Sequence, residues 1–286
     1  MNLSAVAPER VLVNGAEATQ VSALDRGLHY GDGLFETLGC IAGRPRFLTL
    51  HLKRLAAGCA RLQLPAPDLA AIATELSALA APCERAIVKL ILTRGPARAR
   101  GYGFAGAEEA TRITLRYPWP VPPEEGGVRV RIATLTLSEN PATAGIKHLN
   151  RLEQVLARAE WRDPAIAEAL LFSRSGALVS GTMSNVFLVR EGTLLTPRLD
   201  LCGVEGVMRQ VVLGAAGECT IGARECVLQR ADLAAAEEIF LTNALSGIRR
   251  VGELEGRTLT GAAVTRRLQA ALAPLLAGGY FAPGAP

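Results

Sequence analysis

Apolar positions alternate with polar ones in several short runs of this chain, and between those runs they recur every three or four residues. "RVLVNG" (Arg10–Gly15) predicts a strand running into an Asn-Gly turn, and "LFETLGCIAGRPRFL" (Leu34–Leu48) two strands joined by a Gly-Arg-Pro turn. From Thr49, an N-cap candidate, Leu52, Leu55, Cys59 and Leu62 recur at helical spacing until Pro65, and Asp68 caps a second helix to about Leu79. "RAIVKLILTRG" and "TRITLRY" complete this half as strands. The pattern is that of an α+β domain.

The regularity breaks at "YPWPVPPEEGG" (Tyr117–Gly127), where four prolines, two acidic residues and two glycines interrupt the apolar runs. The expected division is therefore an N-terminal domain over 1–117, a linker over 118–127 and a C-terminal domain over 128–286. Beyond the break, "VRVRIATLTLS" alternates strongly, and Asn150 with Glu153 resembles a capping box opening the helix "RLEQVLARAEW". "EALLFSRSGALVS" and "NVFLVREGTLLTP" read as successive hairpins with Ser-Gly and Glu-Gly turns. A helix starting near Gly206, a strand "EIFLTNAL" and an amphipathic helix over Gly261–Leu276 complete the chain.

Composition narrows the class. With 286 residues, 49% hydrophobic and 20% charged, the chain suits about two well-packed domains and argues against disorder. A net charge of +4 without a dense basic run gives no reason to expect nucleic acid. The first residues carry no charged leader before an apolar stretch, and no apolar run reaches membrane-spanning length, so a cytoplasmic protein is expected. Six cysteines without a C-x-x-C pair and three dispersed histidines signal neither a dithiol nor a metal centre.

Lysine is scarce: Lys53, Lys89 and Lys147 are the only three among 31 basic residues. An arginine stays protonated, whereas a lysine can lose its proton and act as nucleophile or base. Lys147, in "GIKHLNRLEQ", could be an ordinary loop lysine, but Ile146 and Leu149 give it apolar company that favours the neutral amine. Lys53, beside Arg54 on a helix, and Lys89, inside a strand, are weaker candidates. "CGVEGVMRQ" (Cys202–Gln210) is either a plain helix start or an anion cradle, since glycines let a phosphate approach the unpaired N–H groups of a first turn. Arg54 in "HLKRL" and Asn243 and Ser246 in "LTNALSG" have equally plain structural readings. "DRGLHYGDGLFE" spends three glycines just before a strand, which suits a tight turn or a close backbone approach. Arg94 and Arg100, with Tyr102, could form a carboxylate clamp or belong to an exposed loop.

In this order, "DRGLHYGDGLFET", "HLKRL", "TRGPARARGY", "GIKHLNRLEQVLARAE", "GTMSNVFLV", "TPRLDLCGVEGVMRQ" and "TNAL" resemble the class IV (fold-type IV) aminotransferase family of pyridoxal-phosphate enzymes. "GIKHLNRLEQVL" and the "TPRLD" segment are similar to its lyase branch. The resemblance covers nearly the whole chain. It implies a two-domain fold, with a smaller N-terminal α/β domain and a larger, strand-rich C-terminal domain that binds pyridoxal 5′-phosphate, and a homodimer. By position it makes Lys147 the lysine joined to the cofactor aldehyde and Arg54 the grip on its phosphate, helped by the backbone N–H groups of Val207 and Met208. Ala244 stands where relatives often carry Ser or Thr, and Arg151 where the aminotransferases carry Tyr near the cofactor's phenolic oxygen. Ser180 stands where the family has a Glu paired with the pyridine nitrogen. A hydroxyl does not hold that proton as a carboxylate does, which weakens the electron sink and disfavours transamination over an elimination that ends in an aromatic ring.

The reaction implied is conversion of 4-amino-4-deoxychorismate to 4-aminobenzoate and pyruvate, a step toward folate. Lys147 is then the general base, with Thr37 assisting the leaving group. Arg100 and Tyr102 are expected on the substrate carboxylates, and Tyr30 and Phe35 along the pocket wall. An aminotransferase for branched-chain or D-amino acids, or a catalytically impaired cofactor-binding homologue, are the alternative expectations.

Overall fold

A computed structural model of the chain describes residues 7–104, 106, 108–119 and 127–278. Residues 120–126, most of the expected linker, lie outside the described residues. The chain forms two compact units, one built from the residues up to 119 together with Ile146–Asn150, the other from 127–145 and Arg151 onward.

The first unit contains β1 (Arg10–Val13), β2 (Ala16–Glu17), α1 (Arg26–Tyr30), β3 (Gly33–Ile41), β4 (Arg44–Pro45), α2 (Leu48–Leu62), α3 (Leu69–Ala80), β5 (Arg85–Thr93) and β6 (Arg112–Pro118). Its strands pair antiparallel in the order β2-β1-β6-β5-β3-β4. Period-two alternation sends Leu34, Leu38 and Cys40 of β3 and Val88, Leu90 and Leu92 of β5 into one core with Leu55 and Cys59 of α2 and Ile72, Leu76 and Leu79 of α3. Each such leucine or isoleucine contributes about 1.5–3 kcal/mol by leaving water. The opposite face of the same strands presents Phe35, Thr37 and Lys89, half-buried, with Thr37 directly across from Lys89.

Three local expectations change in this unit. The β3–β4 turn is Ala42–Gly43, both with left-handed φ (46° and 72°), and the Arg-Pro pair belongs to the returning strand. Helix α2 starts at Leu48, preceded by Phe47 at φ 54° with no side-chain cap, so Thr49 lies inside the first turn. Asp68 does cap α3, accepting from Ala71 N–H at 2.9 Å. The glycine-rich "DRGLHYG" is a one-turn helix rather than a bare turn, opened by Asp25 and closed by Gly31 at φ 65°.

The second unit contains β7 (Val128–Leu137), α4 (Leu152–Arg158), β8 (Ile166–Ser173), β9 (Leu178–Gly181), β10 (Asn185–Arg190), β11 (Thr193–Pro197), α5 (Val207–Glu218), β12 (Ala223–Cys226), α6 (Arg230–Ala235), β13 (Glu238–Asn243), β14 (Gly247–Leu254), β15 (Arg257–Thr258) and α7 (Ala263–Leu276). Its sheet runs β12-β11-β10-β13-β14-β7-β8-β9, with β15 on β14. Phe187 and Phe240, both fully buried, stack across β10 and β13 at 4.9 Å. Helix α7 has no cap of its own. Glu238, on β13, accepts from the N–H groups of Val264 and Thr265 at 2.9 and 2.8 Å and so caps it from another element. The expected capping box of α4 does not form, because Asn150 instead donates to the Gly31 carbonyl (3.1 Å) and Glu153 accepts from Ser138 N–H (2.8 Å). Among the described residues no helix is long and apolar enough to cross a membrane.

Candidate active site

Lys147 lies on a segment that runs alongside the start of β3. Phe35 N–H donates to the Lys147 carbonyl at 3.0 Å, Leu149 N–H donates to the Gly33 carbonyl at 3.0 Å, and Leu34 and His148 form an antiparallel bridge. Ile146 is buried in the core, where a side chain at Gly58 would reach within 2.9 Å of Leu34. Lys147 itself is half-buried, its Nζ 4.2 Å from the Phe35 ring centroid. Lys89 reaches the same ring from β5, with Nζ at 5.4 Å, and burial pushes its pKa down. The sequence ranks Lys89 low. A polar residue breaking an otherwise apolar strand was the signal available. Lys53 is exposed.

Behind that ring the neighbouring residue of β3 faces the other way. Glu36 is 2% exposed and accepts from Arg54 Nε at 2.8 Å, from Arg54 Nη2, and from His51 Nδ1 at 2.6 Å. Burial opposes its charge, but Arg54 and then His51 outweigh burial and hold the carboxyl at about 2. His51 is driven toward the neutral form, first by burial, although Glu36 pulls the other way. Neither Glu36 nor His51 is singled out by the sequence pattern. The available signals were a charge at a core-facing strand position and a histidine three residues before Arg54, on one helix face.

Arg94 spends its guanidinium on a carboxylate of the protein itself. It is 3% exposed and holds Asp32 through Nε and Nη2 (2.7 and 3.1 Å), while also donating to the Gln63 and Leu62 carbonyls at the end of α2 (2.6 and 2.8 Å). A buried guanidinium in a segment preceding a loop must satisfy its own N–H groups, and α2 offers orphan carbonyls. Arg26, the second partner of Asp32 (2.8 Å), donates to the carbonyls of Gly101, Tyr102 and Gly103 and anchors that loop. Arg100 and Tyr102 are exposed on it, and the Tyr102 ring lies 5.3 Å from that of half-buried Tyr30.

The remaining predicted residues belong to the second unit. Ser180, 8% exposed, ends β9. Close by, Glu168 reaches the next residue: a side chain at Gly181 would come within 3.0 Å of its carboxyl carbon. Its oxygens are committed to the turn, accepting from Thr182 N–H (3.0 Å), Met183 N–H (3.3 Å) and Ser184 Oγ (3.1 Å). Helix α5 opens with buried Val207 and Met208, and no side chain caps its first turn. Gly206 is obligatory, since a Cβ would fall 2.0 Å from Asn185 Oδ1, while Asn185 Nδ2 donates to the Val204 carbonyl at 2.8 Å and shapes the approach. At the end of β13, Thr242 Oγ1 is buried with no hydrogen-bond partner, and Asn243 accepts from the N–H groups of Leu245 and Ser246 to form the turn that carries Ala244. Arg151 precedes α4, its pKa pushed down to about 10 by burial against the opposing pull of Glu153.

A family model described as class IV amino-transferase matches residues 33–254. An aminodeoxychorismate lyase from Vibrio harveyi is 32% identical over 239 residues, covering 82% of this chain and 88% of the relative. A putative branched-chain-amino-acid aminotransferase from Methanocaldococcus jannaschii is 31% identical over 244 residues, 84% of each. The crystal structure of 4-amino-4-deoxychorismate lyase from Pseudomonas aeruginosa superposes with a TM-score of 0.89 at 44% identity, covering 93% of this chain and 99% of that one. The chain belongs to the class IV aminotransferases, a family of pyridoxal-phosphate enzymes. Taken separately, each unit carries residues that fit part of that cofactor: in the second, an uncapped helix start behind a glycine and a buried hydroxyl without a partner suit a phosphate, and in the first, a half-buried lysine on an aromatic ring suits an aldehyde.

Proposed function

We propose that the protein is a pyridoxal-phosphate-dependent lyase that converts 4-amino-4-deoxychorismate to 4-aminobenzoate and pyruvate, working as a homodimer. The observation that carries this reading is the 44% identity to the Pseudomonas lyase structure over 93% of the chain, against 22% for the structure of a branched-chain aminotransferase from Thermoproteus uzoniensis. Lys147 is the attachment point for the cofactor. Arg54, the N–H groups of Val207 and Met208, and the backbone at Ala244 hold its phosphate, with Arg151 toward the phenolic oxygen and the Ser180 hydroxyl toward the pyridine nitrogen. The bound cofactor supplies an electron sink that acidifies the ring carbon bearing the substrate amine.

The amine of Lys147 takes the proton from that carbon. The bond from the ring to the enolpyruvyl oxygen breaks, the ring becomes aromatic, and the departing enolpyruvate takes up a proton and tautomerises to pyruvate. Thr37, on the same sheet face as Phe35, assists that protonation. Tyr30 and Phe35 exclude water, and Arg100 and Tyr102 receive the substrate carboxylates. Lys89, on the ring that Lys147 also touches, adds a second cation for those anions.

Adding 4-amino-4-deoxychorismate to the purified holoenzyme should release 4-aminobenzoate, and Lys147→Ala should abolish it. The 31% identity to an aminotransferase favours a second reading, transamination of branched-chain amino acids. Conversion of the cofactor to its amine form on adding an amino acid alone, without 4-aminobenzoate formation in the first assay, would replace the lyase reading by that one.

A further inference from the structure

Arg54 as the holder of the cofactor phosphate belongs to the proposed function, and the role inferred for its neighbours rests on that reading. We propose that Glu36, backed by His51, is a positioning pair that fixes the plane of the Arg54 guanidinium so that its fork meets the phosphoryl group already oriented.

Three observations carry this. Glu36 takes one edge of the guanidinium, accepting from both Nε and Nη2, which locks the plane of a side chain that is otherwise among the most rotamer-rich. His51, 1% exposed, closes the other side of the carboxylate, and because an ionised carboxylate only accepts, the proton between them sits on His51 Nδ1. Both partners come from rigid elements: His51 and Arg54 share one face of α2, and Glu36 is adjacent on β3 to Phe35, the residue whose N–H and ring meet Lys147. A single strand thus sets the arginine on one face and the lysine on the other.

Charge and position predict opposite signs. A carboxylate beside Arg54 weakens the attraction for a phosphate, so on charge alone Glu36→Gln should tighten phosphate binding. If Glu36 acts by orientation, the same change should loosen it, on the order of tenfold, as when partners that orient metal ligands are removed.

The test compares pyridoxal 5′-phosphate with pyridoxal, which lacks the phosphate, as ligands of the full-length apoprotein, reading each affinity from the lysine-linked absorption band. The ratio of the two affinities isolates the phosphate. Arg54→Gln should lower that ratio, Glu36→Gln should lower it about tenfold with pyridoxal affinity unchanged, and the double variant should fall no lower than Arg54→Gln. His51→Asn, whose amide can replace Nδ1–H, should keep most of the ratio, and His51→Ala should not. An unchanged or raised ratio in Glu36→Gln, additive effects in the double variant, or equal behaviour of the two His51 variants would overturn the positioning role. An unchanged ratio in Arg54→Gln would instead remove Arg54 from the phosphate site. Should Glu36→Gln fail to fold, the His51 pair decides.

Discussion

Phe35 meets Lys147 twice: its backbone N–H donates to the Lys147 carbonyl at 3.0 Å, and its ring lies 4.2 Å beneath the lysine Nζ. The first contact depends only on the backbone and survives a change of side chain. The second does not. Phe35→Leu should therefore leave cofactor attachment intact while removing a cation–π contact of about 1 kcal/mol, lowering kcat roughly fivefold. A parallel loss of borohydride fixation to Lys147 would show that the ring holds the segment rather than the amine.

Acid should destabilise the first unit in two stages. His51 is held neutral, so below its ordinary value of 6.5 the unfolded chain binds a proton that the folded one refuses, and stability falls as pH drops from there. Glu36, held at about 2 against an ordinary 4.5, contributes stability that is complete above 4.5 and is lost as pH falls toward 2, about 3 kcal/mol in all. Urea midpoints measured from pH 8 to 3 should decline across both windows, and His51→Asn should flatten the upper one. A midpoint independent of pH between 7 and 5 in the wild type would contradict the neutral histidine.

Arg94 is a stability residue. Removing it leaves two carbonyls at the end of α2 and part of Asp32 unsatisfied, and strips the cation 3.8 Å from the Phe104 ring. Arg94→Ala should cost about 3 kcal/mol, a fall in Tm of roughly 10 °C. Arg94→Lys should recover little, because an ammonium cannot span a carboxylate and two carbonyls at once. Calorimetry of the two variants checks both statements.

The proposed function puts the Ser180 hydroxyl toward the pyridine nitrogen, and the nearby Glu168 carboxylate is taken up by the turn at 182–184. Ser180→Glu should therefore shift the absorption of the bound cofactor and its pH dependence, and raise 4-aminobenzoate formation if the pyridine proton limits the native rate. Identical spectra across pH 6–9 would place Ser180 away from the ring nitrogen.

Much of the local structure was readable from the chain. Asn14–Gly15 and Glu191–Gly192 turn their hairpins because both residues of each pair take left-handed φ, a steric requirement that acts over two residues. Asp68 caps α3, and Gly206 starts α5, for equally local reasons. Where several polar groups compete, locality fails. Asn150 had a plausible helix to cap and went to the Gly31 carbonyl, while Arg94 had a plausible ligand role and went to Asp32 and α2.

The sequence by itself determined the alternation of strands and helices, the family pattern around Lys147, and the scarcity of lysine that singles that residue out, because periodicity, turn sterics and residue chemistry are properties of neighbours along the chain. Only the tertiary structure decided that Ile146–Asn150 packs with the N-terminal strands, that Glu36 reaches across 18 residues to Arg54, and that Lys89 shares an aromatic ring with Lys147. Those choices depend on strand register and on which buried polar groups find partners. Both are settled by packing between segments distant in sequence.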